Sequence, residues 1–135
     1  MIEVVNRQRR RKIATERWVS RAKMMLDAME KSDSSVTIAF VSDRKIRELN
    51  RQFRGLAEPT DVLSFPDDSN SNTLGDIAIS AETAARQAKE NGLTFDGEIS
   101  QLILHGLLHL SGYDHETDDG EMNRIELRLR KKLGI

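Results

Sequence analysis

Residues 36–50, VTIAFVSDRKIRELN, decide the fold class because they pass from one kind of element to another. VTIAFV, from Val36 to Val41, is short and rich in β-branched residues, and reads as a buried strand. Ser42 or Asp43 then caps a helix whose face carries Ile46, Leu49 and Phe53, and Gly55 supplies its stop. Upstream, Ile2 to Val5 reads as a first strand, followed by the basic stretch Arg7, Arg9, Arg10, Arg11 and Lys12. From Thr15, read as an N-cap, Trp18, Val19, Ala22, Met25, Leu26 and Met29 recur at helical spacing, and Ser32 to Ser35 ends that helix. Downstream, Val62 to Phe65 is a short strand closed by Pro66, residues 67–73 form a polar loop, and Leu74 to Ile79 resumes as a strand. Ser80 caps a helix that runs through Glu90 to a stop at Asn91 and Gly92. Asp96 is expected to cap the next, whose face Ile99, Leu102, Ile103, Gly106, Leu107 and Leu110 is apolar enough to be central. Met122, Ile125, Leu127 and Leu129 indicate a terminal helix ending near Gly134. The order βαβαββααα predicts an α+β fold, a small mixed sheet of about four strands covered by helices.

A chain of 135 residues is near the common size for one domain, so residues 1–135 are expected to form a single one. With 38% hydrophobic and 32% charged residues the composition is that of a globular protein, but aromatics make up only 4%, and aliphatic side chains must build the core. Cysteine is absent, which excludes disulfides and leaves His, Asp and Glu as side-chain metal ligands. No signal-like leader or membrane-length apolar run occurs, so a cytoplasmic location and no membrane partner are expected. The net charge of −1 hides a polarity: residues 1–60 hold 14 Lys and Arg against 8 Asp and Glu, and the remainder 7 against 14. A basic face suits nucleic acid, although solvated helix surfaces produce the same tally.

All three histidines fall within HGLLHLSGYDH, residues 105–115. His105 and His109 are four apart on the central helix, which places their side chains on one face within reach of one ion. Gly112 can turn the chain back so that His115 approaches from another side, with a fourth position left open. A lone imidazole in such a helix is usually a core histidine satisfied by a neighbour. Three buried together without partners would cost about 1–3 kcal/mol each, and one metal ion satisfies them all. The expected cofactor is one Zn2+ per chain on His105, His109 and His115, on the central helix and the loop after it; nickel, copper or iron would also accept nitrogen ligands. The spacing matches the metzincin protease pattern H-E-x-x-H-x-x-G-x-x-H except that Gly106 stands where the protease has its general-base Glu. Peptide hydrolysis is therefore disfavoured. Phosphodiester hydrolysis asks instead for a cation beside the metal to bind phosphate.

HGLLHLSGYDH, together with FRGLAEPTDVLSFP at residues 53–66 and LGDIAIS at residues 74–80, resembles the YbeY family of endoribonucleases, bacterial ribosomal-RNA maturation factors. The signature runs over roughly residues 36–122. The resemblance implies that His105, His109 and His115 bind the catalytic metal and that Arg54 contacts substrate phosphate, where a guanidinium makes parallel hydrogen bonds. It also implies single-strand-specific RNA cleavage in 16S ribosomal-RNA maturation and ribosome quality control. Single-stranded RNA, ribosomal RNA and the small ribosomal subunit are then the expected partners, and DNA is not. Asp114, beside Tyr113 within the motif, is a candidate proton acceptor or support for a ligand, against a loop-stabilising hydrogen bond as its ordinary use; Thr60, Asp61 and Ser64 are better explained as turn and strand residues, and Asp76 is a weaker candidate that would reach the site from the sheet. Two rivals stand beside this reading: a metal hydrolase of another substrate class, and a non-catalytic ribosome-assembly factor whose metal orders the His115 loop.

Overall fold

Alternation along the strands divides the interior into two layers. The computed structural model describes residues 1–55, 60–69, 71–114 and 119–135. In it β1 (Ile2–Asn6), β2 (Ser35–Val41), β3 (Val62–Pro66) and β4 (Thr73–Ser80) form a four-stranded sheet in the order β1-β2-β4-β3. The first three neighbours in that order run parallel, and β3 pairs antiparallel with β4 at one edge, so the sheet is mixed. The helices are α1 (Thr15–Ala28), α2 (Asp43–Arg54), α3 (Ala81–Glu90), α4 (Phe95–Leu110) and α5 (Glu121–Leu133), and the element order is the one expected.

On one face of the sheet Val36, Ile38 and Phe40 of β2 and Ile77 and Ile79 of β4 meet Trp18, Met25 and Leu26 of α1 and the apolar length of α4. The opposite face is thinner, with Val41, Leu63 and Ala78 against Ile46 of α2. α4 is the central element: Ile99, Leu102, Ile103, Leu104, Leu107, Leu108 and Leu110 are all buried. Each such side chain contributes about 1.5–3 kcal/mol of burial, enough to fix the axis of the helix that carries the first two histidines. No helix among the described residues is long and apolar enough to cross a membrane.

The helix starts show where local chemistry decides. Ser42 Oγ accepts from Lys45 N at 3.1 Å and Ser80 Oγ from Thr83 N at 3.2 Å, as expected of N-caps. Thr15 is instead the first residue of α1, and its N-cap, Ala14, has no capping side chain. α4 begins one residue before Asp96, because Thr94 is the cap and its Oγ1 accepts from Gly97 N at 2.9 Å. Asp96 lies in the first turn, where its charge favours the helix dipole and pairs with Arg17. Phe53, expected on one helix face with Ile46 and Leu49, is 59% exposed, its ring in an edge contact with Phe65 at a centroid distance of 5.0 Å.

Candidate functional site

His105 and His109 lie one turn apart on α4, and their Nε2 atoms are 3.0 Å apart with the rings nearly perpendicular at 79°. Two nitrogens this close cannot both present bare lone pairs, so a proton or a cation must lie between them. Nitrogens held by one tetrahedral ion at about 2.1 Å stand roughly 3.4 Å apart, and the observed pair needs only a slight opening to fit. These two imidazoles therefore suit a divalent transition metal. Gly112 adopts φ +100°, and its N–H bonds His109 O at 3.0 Å, so the chain turns away from α4 where a turn was expected. His115, the third expected ligand, lies outside the described residues.

The histidines open onto a cleft of about 610 Å³ between α4 and the edge strand β3. β3 contributes through its register: Val62 and Ser64 pair with Ile79 and Ile77, hence face α4, whereas Leu63 pairs with Ala78 and faces α2. Arg54, last residue of α2 and exposed, also lines the cleft, with Thr60, Asp61, Tyr113 and Asp114. The structure thus brings His105, His109 and Arg54 to one cavity. Asp76 is not brought there. Its neighbour Ile77 faces α4, so alternation turns Asp76 to the other side of the sheet, where it is exposed.

Gly106 has a packing reason. A Cβ built on it would lie 2.9 Å from Ile77 Cδ1 and 3.2 Å from Ile77 Cγ2. The position after His105 therefore points into the sheet and away from the cleft, and a glutamate there would be driven into the core rather than toward the imidazoles.

Sequence reasoning missed Glu126. It lies on α5 at 6% exposure, and its Oε1 is 2.8 Å from His105 Nδ1. Arg130 Nη2 donates to the other carboxylate oxygen at 3.1 Å. A signal was present: Met122, Glu126 and Leu129 are spaced on one helical face and all are buried, while Leu127, read as apolar face, is 51% exposed. An acid on the buried face of a helix requires a partner, and one of the histidines was the natural candidate.

A smaller pocket of about 380 Å³ shares Asp61, Val62 and His105 with that cleft and has Glu98, Gln87 and Arg130 in its wall. Glu98 is 5% exposed, and its carboxyl is raised above the ordinary range, first by desolvation and then by the charge of Asp61, with Asn91 and Arg130 opposing. All five cations of the basic stretch are exposed. Arg10 nonetheless stands 3.8 Å from Glu82, and the Arg11 guanidinium stacks 4.0 Å over Phe95.

A family model described as Endoribonuclease YbeY matches residues 3–134, a longer span than the motifs alone suggest. An Endoribonuclease YbeY of Geobacter sulfurreducens is 39% identical over 141 residues, covering 99% of this chain and 94% of that protein. One of Nautilia profundicola is 49% identical over 105 residues, covering 77% and 76%. The solution structure of TM1509 from Thermotoga maritima superposes with a TM-score of 0.67 at 31% identity, covering 98% of this chain and 89% of that one.

Proposed function

The chain belongs to the Endoribonuclease YbeY family, and on that premise we propose that it is a metal-dependent endoribonuclease that cuts single-stranded RNA during 16S ribosomal-RNA maturation and ribosome quality control. The observation that carries the proposal is the approach of His105 Nε2 and His109 Nε2 to 3.0 Å in a cleft that Arg54 also lines. His105, His109 and His115 would hold the ion, zinc by preference. When bound, such an ion acidifies water and offsets charge on phosphoryl oxygens.

The chain's own residues do the rest. Arg54 reaches the cleft from the end of α2 and presents a planar guanidinium that takes two phosphate oxygens at once. Arg7, Arg9 and Lys12, exposed between β1 and α1, add sequence-independent attraction for the RNA backbone, which makes binding steeply salt-dependent. Asp114, which lines the same cleft, would accept a proton or orient a ligand. Gly106 leaves no room for the carboxylate that peptide hydrolysis uses in this motif, which argues against a peptidase.

A defined single-stranded RNA, incubated with wild type, Arg54→Ala and His109→Ala in one zinc buffer, tests the proposal. Cleavage by wild type that falls by about 10²-fold or more in both variants is expected. Equal cleavage by all three would mark a contaminating nuclease and overturn it. Ribosome binding and complete maturation by Arg54→Ala without any cleavage would favour a non-catalytic assembly factor.

A further inference from the structure

His105 is tied to the rest of the fold through α5. Its Nδ1 lies 2.8 Å from Glu126 Oε1, across 21 residues of sequence, and Arg130 Nη2 donates to Glu126 Oε2 at 3.1 Å. We propose that Glu126 is a positioning residue of the metal centre, holding His105 in the Nδ1-protonated tautomer with Nε2 turned toward His109, and that Arg130 holds Glu126 in place. The inference rests on the metal reading given above.

A carboxylate at 6% exposure is costly unless both oxygens are occupied. Arg130 donates to one oxygen, and the other lies 2.8 Å from His105 Nδ1. With the Nδ1–H donating to that oxygen, the ring's lone pair is the one on Nε2. That is the atom facing His109 Nε2 at 3.0 Å. A carboxylate accepting from the rear nitrogen of an imidazole fixes ring orientation and raises the basicity of the front nitrogen toward a metal. An ordinary surface ion pair four residues apart on α5 would explain neither feature: Glu126 sits between Met122 and Leu129 on the buried face, and one of its oxygens is given to a different helix.

The test uses metal-stripped full-length protein, wild type, Glu126→Ala and Glu126→Gln, with zinc as the probe. Zinc affinity is read by competition with a chromophoric chelator, and the His105 tautomer by long-range 1H–15N spectra. Wild type should show protonated Nδ1 at His105. Glu126→Ala should lose that signature and bind zinc about 10–100-fold more weakly. Glu126→Gln, which keeps an acceptor oxygen but no charge, should fall between them. A merely structural role moves neither the tautomer nor the affinity of the folded fraction, so a folded Glu126→Ala protein with wild-type tautomer and affinity overturns the inference. Should the alanine variant not fold, Glu126→Gln and Arg130→Met are read instead, and unchanged zinc affinity in both has the same force. Failure of wild type to bind zinc at all sinks the metal reading separately, and the tautomer measurement then decides the positioning role alone.

Discussion

Replacing Gly106 with alanine sets two known effects against each other. Alanine in a helix interior is favoured over glycine by about 1 kcal/mol. Against this, the new Cβ would lie 2.9 Å from Ile77 Cδ1, 3.2 Å from Cγ2 and 3.3 Å from Cγ1, well inside ordinary carbon contact. The three atoms belong to one side chain, and the only rotation that moves all of them, about χ1, would swing both branches of Ile77 through the packed core. Ile77 is 1% exposed on an interior strand, with nowhere to move. Overpacking of this kind costs roughly 1–3 kcal/mol, which leaves a net loss of about 1 kcal/mol after the propensity gain. In a chain of 135 residues that lowers Tm by roughly 4 °C. Urea denaturation followed by circular dichroism gives the energy, provided the slope stays constant. Ile77→Val removes Cδ1, the nearest atom, and should cost about 0.5–1.5 kcal/mol alone but less in the Gly106→Ala background. A Gly106→Ala protein more stable than wild type, or a strictly additive cycle, would refute the contact as the reason for glycine beside the first histidine.

Asp43, at the start of α2, accepts from Ser80 Oγ, from Thr83 Oγ1 at 2.7 Å and from Arg86 Nη2 at 2.9 Å, thereby joining α2 to α3. Burial raises its carboxyl, but those bonds outweigh it and the group is held below the ordinary range. Asp43→Ala should cost about 1–3 kcal/mol at neutral pH. Because the folded form holds its proton less tightly than the unfolded, this contribution is present above the unfolded value and disappears as pH falls through the folded one. The gap between variant and wild type in urea midpoints should therefore close in acid. Glu98 runs the other way: its carboxyl is raised in the folded state, so its ionisation removes stability as pH rises from the unfolded value through the folded one. Glu98→Gln should raise the urea midpoint at pH 7 by an amount that shrinks toward about pH 4; a pH-independent difference would contradict this. At Gly75, φ is +138° and a Cβ would stand 2.2 Å from Phe65 O. Gly75→Ala should disturb the β3–β4 pairing beside the cleft, seen as faster amide exchange in Val62 to Phe65 than elsewhere.

The succession of elements was legible because each carries its own period and its own end signals, as Ser42 and Ser80 show. Asp96 misled because cap-forming residues stand two apart at 94 and 96, and only the three-dimensional entry of the chain chooses Thr94. The paired histidines of α4 were legible from spacing alone, since helical geometry is local. Glu126 was not, because its partner belongs to another helix, and neither was the direction of the position after His105, which depends on Ile77 of β4. Arg54 entered through family resemblance; its approach to the cleft depends on β3 being an edge strand past which α2 can reach.

The imidazoles of His105 and His109 can be watched directly while zinc is added to metal-free protein, by their ring 15N resonances. Both Nε2 signals should move together and reach their end point at one equivalent of zinc per chain. Movement of only one ring, or of neither, would contradict a shared ion, and the chemistry built upon it would have to be abandoned.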